Sequence, residues 1–150
     1  ALAAPAGLGS RTVGDVRRPP RIGLIDAMRL AARRDLVARQ YASGFRTVLS
    51  MGLASLRQDL RDGLGLEAAT TRLHMAYLRR FPDSHIGRKY GLRAAAAVRD
   101  EARRIADTPR ALQRFDRSLK KRGLNPGTTA DLVVATLLAY RLTSIVPAAA

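Results

Sequence analysis

A chain of 150 residues can hold one core of ordinary size, and an apolar fraction of 47% excludes a wholly disordered polymer. Lys and Arg number 27 against 12 Asp and Glu, a net charge of +15 carried almost entirely by Arg, so the expected ligands are anionic. With no cysteine there is no disulfide framework and no thiolate metal site, and two histidines cannot by themselves build a zinc centre. Any catalysis therefore runs on carboxylates, hydroxyls, Arg and His.

Residues 1–21 read as a loop, because Gly7, Gly9 and Gly14 precede Asp15 and the Pro19-Pro20 pair. The opening Ala1-Leu2-Ala3-Ala4-Pro5 has neither a basic leader nor an apolar centre, and the expectation is a piece that starts inside a longer protein. A helical domain is expected over 22–146, with 147–150 as a tail.

Apolar spacing predicts a first amphipathic helix over Leu24 to Tyr41, supported by Asp35 four residues before Arg39. Gly44 marks its end, and Val48, Leu49, Leu53, Leu56 and Leu60 define a second helix that stops near Asp62-Gly63. A third runs from about Leu66 to Arg80. Pro82 then forces Phe81 out of helical geometry, and Asp83 is placed to cap a short helix that ends at Tyr90.

Beyond Gly91 a helix is expected from Leu92 to Ala106, and Thr108-Pro109 opens another that lasts to about Lys121. Gly123 to Gly127 reads as a loop, and the last helix begins at Thr128 or Thr129. Within it, Leu132 to Val146 reads as a buried helix, too short and too interrupted by Arg141 for a membrane span of about 20 residues. The fold class is all-α, a compact array of six or seven helices.

Two polar stretches break the pattern. In Phe81 to Gly91, Asp83, Ser84 and His85 stand at a helix start with Arg88 and Lys89 one turn later, a set able to accept a proton and hold a phosphate. The plainer reading makes Asp83 or Ser84 an N-cap and leaves both cations in water. In Gly123 to Leu132, Asn125, Gly127, Thr128 and Thr129 deliver a helix start that suits an anion, while Thr128 with Asp131 also reads as a capping box. The Gly-Lys-Ser/Thr ending of a phosphate-binding P-loop is absent. Low aromatic content and the lack of a recognised motif make nucleic acid an unlikely partner.

Asp83-Ser84-His85-Ile86 with Arg88-Lys89 and Gly91, then Asp116, Leu119-Lys120 and Gly123 to Leu132, resembles the C-terminal half of the triphosphoribosyl-dephospho-CoA synthase family. Upstream, Ala38-Arg39 and Ser43-Gly44-Phe45 with Val48 are similar to that family's Ala-Arg, Glu and Gly-Phe segment. The resemblance implies an all-helical, cytoplasmic, ATP-dependent transferase that joins the ribose of ATP to dephospho-CoA or a related acceptor and releases adenine. It implies ATP as substrate, Mg2+ as cofactor, and nucleotide and CoA-like small molecules as the partners, with no membrane.

Carried over on the same footing, Asp83, His85 and Asp131 are catalytic, with Asp83 and Asp131 also metal ligands. Ser84, Arg88, Lys89, Asn125, Gly127, Thr128, Thr129 and Arg39 bind substrate or phosphate. Two departures stand out. Gln40-Tyr41 occupies the place of the family's Glu, as in a branch found near methanopterin-dependent one-carbon genes. The family's N-terminal half, with its Pro-Gly and Thr-Asn-rich motifs, has no counterpart in this sequence, so residues 1–21 read as a joint to a missing N-terminal half, and that half or a homo-oligomer is an expected partner. The alternative reading is a non-catalytic or fragmentary helical partner in a cofactor or one-carbon pathway.

Overall fold

A computed structural model describes residues 22–145, and every described element is helical. In chain order they are α1 (Leu24–Ala31), α2 (Leu36–Ala42), a π-helical turn (Val48–Gly52), α3 (Leu53–Arg61), α4 (Leu66–Arg80), α5 (Ser84–Tyr90), α6 (Leu92–Arg104), α7 (Pro109–Lys121) and α8 (Gly127–Ile145). The all-α expectation holds. Eight α-helices are found among the described residues rather than six or seven. The joint at 1–21 and the tail at 147–150 lie outside the described residues.

Two compact units are present, Ala1–Arg46 and Thr47–Ala150. In the first, the single helix expected from Leu24 to Tyr41 is two. Asp35 is the reason: its Oδ1 accepts from the amides of Val37 and Ala38 at 2.9 and 3.0 Å, so it starts α2 as an N-cap. Arg39, four residues on, donates its Nε to the carbonyl of Ala32. Gly44 and Phe45 then both take positive φ, 62° and 57°, and the amide of Phe45 reaches back to the carbonyl of Gln40 at 2.7 Å. A phenylalanine in that region is uncommon, and contact of its ring with Tyr41 at 5.0 Å accompanies it.

In the second unit the core is built from α4, α5, α6 and α7, where Met75, Leu78, Ile86, Ala95, Val98, Phe115 and Leu119 pack together. Helix α4 is the central strut. Its far side meets α8 and the π-turn, where the hydroxyls of Tyr77 and Thr136 bond at 2.7 Å in a fully buried position. Thr136 donates to the carbonyl of Leu132, so Tyr77 supplies the proton between the two hydroxyls. Arg79 fastens the ends of α4 and α6, donating to the carbonyls of Ala102 and Ile105 and to both carboxylate oxygens of Asp107. Thr108 and Pro109 open α7 as cap and first residue, as the sequence predicts.

The last helix departs from expectation. It begins at Gly127 and is buried along one side only. Leu132, Val133 and Thr136 are buried, whereas Val134, Leu138 and Leu142 are 65%, 59% and 55% exposed. Apolar residues all round a helix imply neighbours all round it, and here one side has none among the described residues. Among the described residues no helix is long and apolar enough to cross a membrane.

Candidate functional site

Pro82 holds Phe81 in an extended conformation, φ −126° and ψ 134°, and this turn aims Asp83 at two helix starts at once. Its Oδ1 accepts from the amides of His85 and Ile86 at 2.8 and 3.0 Å, the N-cap of α5. Its Oδ2 accepts from the amide and the hydroxyl of Thr129 at 2.7 and 2.8 Å, inside the first turn of α8. The side chain is fully buried. One carboxylate thus ties together motifs 46 residues apart.

The second cross-link runs through Thr128, whose Oγ1 accepts from the hydroxyl of Ser84 and from the amide of His85, both at 3.1 Å. Because α8 starts at Gly127, Thr128 already lies within the helix, and its hydroxyl serves α5 instead of closing a capping box with Asp131. A Cβ on Gly127 would lie 3.4 Å from Cγ of His85, so the lack of a side chain there lets the imidazole lie against the start of α8. The two motifs meet at Asp83, Ser84, His85, Gly127, Thr128 and Thr129.

Inside this group the polar atoms are spent on one another. Asp83, Ser84, Thr128 and Thr129 are all buried. No buried side-chain nitrogen or oxygen among the described residues lacks a partner. The groups that face outward are the half-buried His85 and the exposed Arg88, Lys89, Asn125 and Asp131. Lys89 sits 5.1 Å from the centre of the Tyr90 ring, whose hydroxyl donates to the carbonyl of Gly123 and so ties the end of α5 to the loop before α8. Asp131 follows Gly127 by four residues, about 40° round the same helix, on the side where His85 lies. Arg39 is exposed in the first unit.

A magnesium ion takes carboxylate or other oxygen ligands with near-ideal octahedral geometry. Asp83 does not fit that role, since each of its oxygens already accepts two hydrogen bonds, and no group of three His, Asp or Glu side chains gathers among the described residues.

A cleft of about 1010 Å³ opens nearby between α4, α7, the loop after α7 and α8. Of the site residues expected from sequence only Asn125 lines it, together with the motif residues Asp116, Leu119, Lys120 and Gly123. Its walls are largely apolar, with His74, Asp116 and Lys120 as polar groups at the rim, the last two paired at 2.7 Å. Sequence reading missed His74, which sits in mid-helix with no neighbouring motif to mark it. Burial holds its imidazole below the ordinary value of 6.5, while the carboxylates of Asp83 and Asp116 pull the other way.

The sign of the pH effect follows. The unfolded chain takes up a proton near pH 6.5 that the folded chain resists, so this group's contribution is complete above 6.5 and shrinks as pH falls toward the lower folded value. Urea melts should show stability falling through that window, and His74→Gln should flatten the fall. The ring-proton titration of His74 by NMR should show a midpoint below 6.5, and its signal should vanish in His74→Gln.

Fold and motif order together define an all-helical chain of a transferase family. The chain belongs to the ATP:dephospho-CoA triphosphoribosyl transferase family, whose model matches residues 1–148. It is 34% identical over 102 residues to the 2-(5''-triphosphoribosyl)-3'-dephosphocoenzyme-A synthase of Pectobacterium atrosepticum, covering 66% of this chain and 34% of that protein. A Pseudomonas fluorescens protein named as a probable synthase of the same kind is 30% identical over 136 residues, covering 85% and 46%. A crystal structure from Archaeoglobus fulgidus, assigned to the triphosphoribosyl-dephospho-CoA synthases, superposes with a TM-score of 0.71 at 29% identity over 79% of this chain and 51% of that one. The chain thus spans from about a third to a half of the length of these relatives.

Proposed function

We propose that this chain supplies one wall of an active site in which a hydroxyl of dephospho-CoA, or a related acceptor, attacks the anomeric carbon of ATP. The new bond joins that carbon to the hydroxyl oxygen, the bond to the adenine nitrogen breaks, and the proton lost by the hydroxyl is balanced by the one adenine gains on leaving. The site must remove a proton, hold a triphosphate and exclude water. Both substrates being soluble nucleotides, the reaction belongs in the cytoplasm.

The observation that carries this reading is the double use of Asp83, which fixes the starts of α5 and α8 against each other. A lone cap would need only one of them. In this role Asp83 is a positioning residue, with Ser84, Thr128 and Thr129 as its partners, and the reacting groups are those it leaves at the surface. His85 is the base, since its half-buried imidazole lies against the start of α8 and its backbone is pinned by Asp83 and Thr128. Arg88 and Lys89 receive the triphosphate, and Asn125 and Asp131 lie at its edge.

Arg88 and Lys89 are adjacent on a helix and point about 100° apart, so they cannot serve one phosphate equally. The planar fork of Arg88 can hold two phosphate oxygens at once, where Lys89 offers a point charge. In titration calorimetry with ATP, Arg88→Ala is expected to weaken binding about tenfold, on the order of one charge-assisted contact, and Lys89→Ala about threefold or less. Equal small losses would remove the cations from the site, and absence of ATP binding by the unaltered chain at millimolar nucleotide would overturn the reading. Adenine release from ATP with dephospho-CoA is the direct assay.

A further inference from the structure

The 1010 Å³ cleft is a poor phosphate site: of the residues lining it, Lys120 is the only Lys or Arg, and it is already paired with Asp116. Its floor and walls are Met75, Leu78, Leu112, Leu124 and Val133, with Val134 and Leu137 of α8 at the edge. Val134 also begins the exposed line Val134, Leu138 and Leu142. Spaced by four, these three lie along one side of α8 and extend the cleft by about 12 Å at 1.5 Å per residue. Scattered exposed leucines are ordinary, but a continuous apolar surface with a polar rim marks a seat for another chain segment. A groove floored by aliphatic side chains and continued by such a line suits an amphipathic helix with anchors three, four and seven residues apart.

We propose that this surface seats a helical segment equivalent to the part of the relatives that lies outside the matched region. The inference rests on family membership and the shape of the second unit, and not on the catalytic reading above. The Archaeoglobus fulgidus protein shares this fold over 51% of its length, so the remainder of that protein is the kind of segment this family carries beside the matched half. Charge disfavours the other obvious occupant, a second copy, because each copy brings +15. The expected segment is therefore neutral or acidic around an apolar stripe.

The test co-expresses the full 150-residue chain with the portion of the Archaeoglobus fulgidus protein outside the matched half, and follows the mixture by size exclusion with light scattering. A one-to-one complex is expected. Leu138→Glu and Val134→Glu should each weaken it at least tenfold, while Leu92→Glu, at a 73% exposed leucine on α6, should leave it unchanged. Circular dichroism melts of all three variants confirm that they fold, as exposed positions should. Absence of a complex, or one indifferent to both α8 substitutions, overturns the proposal. So does a dimer of the chain alone that Leu138→Glu abolishes, which would make a second copy the occupant.

Discussion

Asp83→Ala is expected to destabilise the chain by about 3–5 kcal/mol, because it strips partners from buried donors at two helix starts at once. Three of those donors, the amide of Ile86 and the amide and hydroxyl of Thr129, have Asp83 as the acceptor shown for them, while the amide of His85 keeps Thr128. For a chain of this length the loss corresponds to a fall in Tm of roughly 10 °C or more. Asp83→Asn separates the two possible roles. Its one amide oxygen can still cap α5, and the Thr129 hydroxyl can turn to accept from its NH2, but that NH2 meets the Thr129 N–H donor against donor, so about half the penalty should remain. A carboxylate held for substrate or metal behaves oppositely, since its removal relieves negative charge and leaves the ligand-free fold as stable or more so. Urea melts of the two variants without ligand decide this. Wild-type stability in Asp83→Asn would return Asp83 to the reacting groups.

The same residue shows what local sequence can and cannot say. That Asp83 caps α5 is legible from Pro82 and the polar run behind it, and the end of α4, both ends of α5 and the start of α7 follow from Pro82, Gly91 and the Thr108-Pro109 pair. That its second oxygen caps α8 is not legible, since nothing within ten residues of Asp83 records where Thr129 will lie. Resemblance to a family brought the two motifs together on paper; the hydrogen bonds show that their meeting consumes the very hydroxyls that looked available to phosphate. Thr128 and Thr129 are spent, and His85, Arg88, Lys89, Asn125 and Asp131 are what face outward. In sequence Asp35 reads as half of an ion pair with Arg39 inside one helix; the two amides from which it accepts make it a cap instead, and the helix divides there.

Apolar composition misled most plainly at the last helix. Leu132 to Val146 looks like a helix surrounded by core, and its sequence carries that pattern on all sides, yet Val134, Leu138 and Leu142 stay in water. A periodicity argument fixes which residues want partners but not whether the partner lies within the same stretch of chain. The relatives' greater length supplies the physical explanation offered above. His74 went unseen for a related reason: its burial depends on α7 and α8, both remote in sequence.

Gly52→Ala is the second large effect, and it tests the far side of α4. Gly52 ends the π-turn against the buried pair Tyr77 and Thr136; a Cβ there would overlap the Tyr77 hydroxyl and lie 2.6 Å from Oγ1 of Thr136. Neither neighbour can swing into water, since Tyr77 is 1% and Thr136 0% exposed. Overpacking of this kind costs about 1–3 kcal/mol, and displacing the phenol also breaks a buried hydrogen bond worth about 1 kcal/mol. Against this, alanine gains about 1 kcal/mol over glycine in a helix. The net expectation is a loss of about 2–3 kcal/mol, read as a lower urea midpoint at unchanged slope. Tyr77→Phe supplies the control. It removes the oxygen the methyl would strike, so Gly52→Ala in that background should cost at least 1 kcal/mol less than in the wild type, a coupling of the size direct neighbours show. Additive losses would mean that the π-turn does not approach α4 as described. A neutral Gly52→Ala would mean that the turn can slide, and that glycine stands there for the backbone instead of for Tyr77.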